Sequence, residues 1–344
     1  MSLTNRQILL ATRPAGMPIS TNFSFVQTEV PTPGEGQILG RTIYLSLDPY
    51  MRGRMNEGKS YSPPVGIGEV MIGGTVSEVV DSKHPGFSIG DIVLNENGWQ
   101  DYAVSDGEGV RKLDPGFGPL SNALGVSGMP GLTAYVGLLD IGKPKAGETV
   151  VVSSAAGAVG SVVGQIARIK GCRVVGVAGS PAKCDYVVKE LGFDDCINYK
   201  SDGFVAQLQN ACPDGVDIYF ESVGGRVLEG VTGLLNVGAR IPLCGMISYY
   251  NLRELPPGPD RTPLLMRSLL INRVSLQGFI VFDHFHRQAD FLKDMQAWLA
   301  SGDVVYREDV VDGLENAPEA FKGMLMGKNF GKQVIRVARD PFAG

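Results

Sequence analysis

The chain has 344 residues, 44% hydrophobic and 19% charged, with a formal net charge of -5 and a pI of about 5.4. That length exceeds what one ordinary core holds, so two domains are expected, and a chain this size buries its core without disulfides or metal. The acidic balance, with no basic tail or Lys/Arg cluster, excludes nucleic acid as the main partner.

No stretch approaches the roughly 20 consecutive apolar residues of a membrane span, and Met1–Leu10 does not read as a signal peptide. The five cysteines (Cys172, Cys184, Cys196, Cys212, Cys244) are odd in number and lack CxxC spacing, which predicts a reduced, cytoplasmic protein.

In chain order, residues 1–125 read as mostly β. The runs Gln37–Leu47, Val70–Val80 and Asp91–Leu94 are broken by Pro and Gly clusters at Pro31–Gly36, Tyr61–Gly68 and Pro85–Gly90. The rhythm then changes. Thr149–Ser153 is a short apolar strand, and Val159, Val162, Val163, Ile166 and Ile169 follow with helical spacing. Arg173–Ala178 is a strand, Lys183–Leu191 a helix and Cys196–Tyr199 a strand. Val216–Glu221, Ala239–Cys244 and Ser275–Phe279 are further strands with helical segments between them. This alternation predicts an α/β fold with a doubly wound parallel sheet, the Rossmann arrangement. A helix at Gln288–Ala300, the segment Tyr306–Val311 and a short helix near Pro318–Met326 precede a final strand, Gln333–Val337, half-buried in character. That strand is expected to return to the N-terminal β domain, giving residues 1–125 with 301–344 as one domain and 126–300 as the other.

The sharpest chemical signal is Ser153-Ser-Ala-Ala-Gly157-Ala-Val-Gly160-Ser-Val-Val-Gly164, between a strand and a helix. A pyrophosphate needs close backbone approach and free N–H groups at a positive helix end. Gly157 is expected to allow the tight turn, Gly160 the approach and Gly164 the packing of helix against strand. An NAD site ends its second strand with Asp or Glu. Here that strand ends Val174-Val-Gly-Val-Ala-Gly179-Ser180, with Ser180 and Lys183 in place of the acid and Tyr199 ending the next strand. These groups suit a 2′-phosphate, so the predicted cofactor is NADPH.

No metal-ligand set is visible. The histidines are His84, His284 and His286, and the His284-Phe-His286 pair has no cysteine or fixed acid to complete a site. Seven segments in order resemble the medium-chain dehydrogenase/reductase superfamily. They are Leu45–Arg52, Gly128–Tyr135, Ala155–Gly164, Glu221–Gly225, Cys244–Asn251, Gln277–Val281 and Gly327–Lys332. More closely, the chain resembles the branch holding prostaglandin reductases, plant alkenal double-bond reductases and bacterial curcumin reductase. Tyr61–Pro64 and Leu255–Asp260 point toward the last.

The resemblance implies a Rossmann domain plus a mostly-β GroES-like catalytic domain. It implies that Gly157, Ala158, Val159 and Gly160 hold the pyrophosphate and that Lys183 and Tyr199 bind the 2′-phosphate. Cys244 to Tyr250 would run beneath the ribose. Phe279, Ile280 and Val281 would contact the carboxamide through backbone groups, with Asn329 and Met129 at the nicotinamide. Ser222 stands where the family often has Asn and is a weaker cofactor contact. The zinc-bearing relatives carry Cys where this chain has Leu45–Tyr50, which agrees with the missing ligand set.

Hydride addition to the β-carbon of a conjugated enone gathers charge on the carbonyl oxygen, and a donor must meet that oxygen. Tyr250 is the first choice, either donating directly or orienting a ribose hydroxyl. Tyr50 and Tyr61 are expected to line the substrate pocket, with Tyr50 the second catalytic candidate. The predicted activity is NADPH-dependent reduction of the double bond of an apolar α,β-unsaturated ketone or aldehyde, curcumin-like or 15-oxoprostaglandin-like. A quinone or ketone reductase on the same fold, or a non-catalytic NADPH-binding protein, are the alternatives. A homodimer is expected through the apolar run Val274–Val281.

Overall fold

A computed structural model describes residues 4–254, 256 and 258–342. Of the segments named above, Leu255 and Pro257, and Met1 to Leu3 of the N-terminal stretch, lie outside the described residues. Contacts divide the chain into two units, residues 1–125 with 308–344 and residues 126–307.

The first unit opens on an antiparallel pair, β1 (Thr4–Leu10) and β2 (Phe23–Glu29). β3 (Ile38–Ser46) follows; eight of its nine residues are buried, and it is the spine of the unit. The chain then turns through Leu47-Asp48-Pro49 into one short helix, α1 (Tyr50–Arg54). β4 (Thr75–Ser82), β5 (Ile92–Asn95), β6 (Tyr102–Ser105) and β7 (Arg111–Leu113) complete the N-terminal part. β4 starts five residues later than the apolar pattern suggests. Met71 N–H bonds to Ile8 O and Ser46 N–H to Gly74 O, so residues 71–74 are taken by other partners before the ladder begins.

The second unit begins with α2 (Met129–Val136). Then β8 (Thr149–Val152), α3 (Gly160–Ile169), β9 (Arg173–Ala178), α4 (Pro181–Lys189) and β10 (Asp195–Asn198) alternate. α5 (Phe204–Ala211), β11 (Val216–Phe220), α6 (Gly225–Thr232), β12 (Leu235–Leu243), α7 (Thr262–Asn272) and β13 (Ser275–Gly278) follow. All pairings in this sheet are parallel, in the order β10-β9-β8-β11-β12-β13. Chain order reverses between β8 and β11, the place where open α/β sheets bind ligands at their carboxyl ends. Phe204, Leu208, Val227 and Val231 from α5 and α6 pack with Val151, Tyr219 and Ile241 of the sheet in one core cluster. Each such fully buried side chain contributes about 1.5–3 kcal/mol.

α8 (Gln288–Ser301) closes the unit. The segment after it stays with the unit, because Val305 N–H and Gln165 Nε2 exchange hydrogen bonds with Gln165 Oε1 and Val305 O, both at 2.8 Å. The division therefore falls at 307/308, where composition alone put it at 300/301. β14 (Glu308–Asp312), α9 (Ala317–Leu325) and β15 (Lys332–Arg336) belong to the first unit, whose sheet has the order β14-β15-β3-β4-β5-β7 with β6 on β3. β15 is more buried than its sequence suggests: Lys332, Gln333, Val334 and Ile335 are all buried. Lys332 is accommodated because its Nζ bonds to Asp48 Oδ1 at 2.7 Å and to Leu47 O at 2.8 Å. A buried ammonium needs such partners.

Candidate functional site

The glycine loop leaves β8 at Ser153 and enters α3 at Gly160. Its one left-handed residue is Ser154, at φ 51°, not Gly157. Glycine is required at 157 and 160 for space. A Cβ on Gly157 would lie 2.9 Å from Ser154 Oγ, and one on Gly160 2.4 Å from Ser154 O. Ala158 and Val159 are the residues between them. Gly164 serves a different neighbour from the one expected: a Cβ there would sit 1.8 Å from the ring of Phe193, in the turn between α4 and β10. α3 thus presents its N-terminus, with a tightly folded loop, at the carboxyl end of β8. That arrangement suits an anion.

At the end of β9, Ser180 caps α4, its Oγ accepting from Lys183 N–H at 3.3 Å, and Pro181 takes the first helical position. The cap starts α4 two residues before the apolar pattern does. A Cβ on Gly179 would lie 3.1 Å from the Tyr199 ring and 3.6 Å from Lys200 Cε. Lys200 Nζ stands 5.6 Å from the centroid of that ring. Ser180, Tyr199 and Lys200 therefore gather around one bare glycine, with Lys183 on the first turn of α4. Lys200 was not singled out in the sequence; its place directly after Tyr199, on the same strand end, was the available signal.

The ends of β11 and β12 form the other wall of the switch point. Ser153 Oγ donates to Phe220 O at 3.0 Å and accepts from Ser222 N–H at 2.7 Å, joining β8 to β11. Glu221 is buried, and its Oε1 accepts from Val223 N–H at 2.6 Å and Gly224 N–H at 3.0 Å. Burial raises its pKa against these bonds. Its Oε2 and the hydroxyl of Ser222 are buried without a partner. Cys244 lies beside Ser222, and burial pushes its thiol up to about 12.

The two adjacent tyrosines after β12 have different surroundings. Tyr249 OH accepts from Gly225 N–H at 2.9 Å, and its ring covers Gly224, whose φ of 78° and lack of a Cβ are both needed there. Tyr250 OH accepts from Met246 N–H at 3.3 Å and sits over Gly245. Burial raises the Tyr250 pKa.

Met129 opens α2 and its carbonyl accepts from Thr133 Oγ1 at 2.8 Å. Phe279 packs edge-on against Phe220 and against His284, and its N–H bonds to Leu243 O at 3.4 Å. Ile280 O accepts from Asp283 N–H at 3.1 Å, and Val281 is buried.

Tyr50, Tyr61 and Asn329 belong to the first unit. Tyr50 is half-buried at the start of α1; desolvation, then Asp48, Glu96 and Tyr61, hold its pKa well above the ordinary phenol value. Tyr61 is exposed. Asn329 Nδ2 bonds to Gly331 O at 2.9 Å in the loop before β15. Among the described residues no three His, Cys, Asp or Glu side chains gather as a metal site, and all five cysteines are free.

Residues 6–113 match the family model described as the N-terminal domain of oxidoreductase, and residues 158–301 that described as zinc-binding dehydrogenase. The chain is 57% identical to the NADPH-dependent curcumin reductase of Escherichia coli, over 98% of each chain. It belongs to the zinc-independent branch of the medium-chain dehydrogenases/reductases. Rabbit prostaglandin reductase 1 is 43% identical over 92% of this chain and 89% of its own. CurA from Vibrio vulnificus, solved in complex with NADPH, is 57% identical with a TM-score of 0.94, covering 97% of this chain and all of that one. The switch point fits the dinucleotide such a family member takes: a glycine loop crowded at Gly157 and Gly160, a capped α4 beside a bare Gly179, and an orphaned Ser222 hydroxyl.

Proposed function

We propose that this protein reduces the carbon-carbon double bond of α,β-unsaturated ketones and aldehydes at the expense of NADPH. The observation that carries the reading is full-length similarity, at 57% identity, to a protein named NADPH-dependent curcumin reductase. Bound NADPH supplies the hydride. In this reading the Gly157–Gly160 turn takes the pyrophosphate at the α3 N-terminus, and Ser180, Lys183 and Tyr199 take the 2′-phosphate. Ser222, Cys244 and Tyr250 lie along the ribose. Met129, Phe279, Ile280, Val281 and Asn329 keep the nicotinamide roles that the family resemblance gives them, and Tyr50 and Tyr61 keep theirs toward the substrate.

As hydride reaches the β-carbon, charge gathers on the carbonyl oxygen, and a protonated hydroxyl there lowers the barrier. Tyr250 is assigned this role, acting on the oxygen or through the ribose, because it follows β12 at the carboxyl edge of the sheet. The test is the product formed from an acyclic enone: the saturated ketone is expected, and an allylic alcohol would make the protein a carbonyl reductase instead.

Two copies are inferred to pair through β13. That strand is the edge of its sheet and all four of its residues are exposed. α7 before it has no buried residue, and Leu264, Met266, Leu270 and Ile271 are each more than half exposed on it. An apolar helix beside a bare sheet edge is a surface that association covers.

A further inference from the structure

α4 packs on β10, and each carries one cysteine. Cys184 lies in the first turn of α4, its N–H bonded to Ser180 O at 3.1 Å. Cys196 is the second residue of β10, opposite Gly176 of β9. The bare glycine makes room for it: a Cβ on Gly176 would lie 3.1 Å from Cys196 Sγ and 2.9 Å from Val187 Cγ1. Val187 follows Cys184 by three residues on α4, so the two share the face turned to the sheet. Cys184 therefore meets Cys196, and the two thiols are hydrogen-bonded to each other. Both residues are half-buried.

The other three cysteines are placed differently. Burial pushes the thiols of Cys172 and Cys212 up to about 11 and that of Cys244 up to about 12, which leaves them unreactive at neutral pH. Cys184 is held below the ordinary thiol value, because Cys196 donates to it, against desolvation and the carboxylates of Asp185 and Asp195. Oxidation of a thiol begins at the thiolate, and a redox-responsive cysteine has a resolving cysteine beside it. Cys184 and Cys196 stand in that relation.

We propose that Cys184 and Cys196 form an oxidative modification site, a reversible disulfide made by a peroxide, that weakens NADPH binding at the β9–α4 corner. The Cys184 thiolate attacks one peroxide oxygen; the O–O bond breaks, Cys184 becomes a sulfenic acid, and the departing hydroxide takes up a proton. The Cys196 sulfur then attacks the Cys184 sulfur; the S–O bond breaks, and the hydroxide leaves as water with the Cys196 proton. The two thiols together lose two electrons, and the peroxide is reduced to two waters. The covalent bond is shorter than the contact it replaces, so the first turn of α4 is drawn toward β10. Lys183 and the Ser180 cap move with it, while Tyr199 and Lys200 follow β10. This consequence rests on the reading that Ser180, Lys183 and Tyr199 take the 2′-phosphate; formation of the disulfide does not.

In the test, the full chain is treated with hydrogen peroxide and its linkages are mapped by mass spectrometry of non-reduced peptides. Binding of NADPH and of NADH is measured calorimetrically before treatment, after it, and after dithiothreitol. The wild type is expected to link Cys184 to Cys196 and to lose about tenfold in NADPH affinity, as loss of one charge-assisted hydrogen bond implies. NADH binding is expected to change little, and dithiothreitol to restore the NADPH affinity. Cys184→Ser and Cys196→Ala are expected to bind NADPH as the reduced wild type does and not to respond to peroxide. No linkage between these two cysteines, a linkage that leaves NADPH affinity unchanged, or an equal loss on both cofactors overturns the proposal. A reduced wild type that binds NADH as tightly as NADPH refutes the 2′-phosphate reading instead, and the peptide map still decides the disulfide.

Discussion

Tyr249 and Tyr250 are neighbours whose hydroxyls have different partners. The Tyr249 hydroxyl bonds to Gly225 N–H at 2.9 Å and fastens the turn after β11. The Tyr250 hydroxyl accepts one longer bond, 3.3 Å from Met246 N–H; both hydroxyls keep a proton to donate, and that of Tyr250 is the more weakly held. A donor that acts on the developing charge should strengthen in the transition state, so its loss reduces kcat more than it raises KM. Tyr250→Phe is expected to lower kcat roughly 10- to 100-fold, about 1.4 to 2.7 kcal/mol. Tyr249→Phe is expected to cost much less in kcat and to appear mainly as a modest loss of stability, because it removes one turn bond. Steady-state kinetics of both variants on one good enone decide between them; a Tyr250→Phe enzyme with wild-type kcat, or a Tyr249→Phe enzyme hit harder, reverses the assignment.

At the scale of elements, the cofactor preference is expected to come from the β9–α4 corner. No acid ends β9, and Ser180, Lys183, Tyr199 and Lys200 lie around its end. NADPH is expected to be preferred over NADH by at least tenfold, about 1.4 kcal/mol. Lys183→Ala should raise KM for NADPH and leave KM for NADH alone; equal use of both cofactors by the wild type would refute the preference.

The alternation of strands and helices from Thr149 onward was legible because each element is short and bounded by glycine or a cap. Other elements were not. α2 follows Gly128 and opens with Met129-Pro-Gly131, residues that do not mark a helix in sequence. Proline is tolerated in a first helical turn, and Gly131 is there because a Cβ would lie 2.0 Å from Val126 O. α7 is apolar around much of its surface and has no buried residue, so periodicity gave no face to find. The glycine loop was legible as a loop, but the left-handed turn at Ser154 and the Phe193 ring behind Gly164 are tertiary facts. The burial of Glu221 was not legible, because nothing in its local sequence marks that carboxylate as buried.

For the whole molecule, the exposed β13 edge and α7 face predict a homodimer. Its mass by sedimentation at micromolar concentration should be twice the 36.7 kDa of one chain. Replacing Leu270, 78% exposed, with Glu should shift it toward monomer, since a charge in an apolar interface is costly. A wild-type mass of one chain contradicts the pairing. Among the described residues no helix is long and apolar enough to cross a membrane.

The chain is expected to direct hydride to carbon of a conjugated double bond. The fate of deuterium from NADPH labelled at the nicotinamide C4 position, with an acyclic enone as substrate, decides this. Deuterium at the β-carbon of a saturated ketone, matched one-to-one with NADPH consumed, is the predicted result. Deuterium on the carbinol carbon of an allylic alcohol would contradict it.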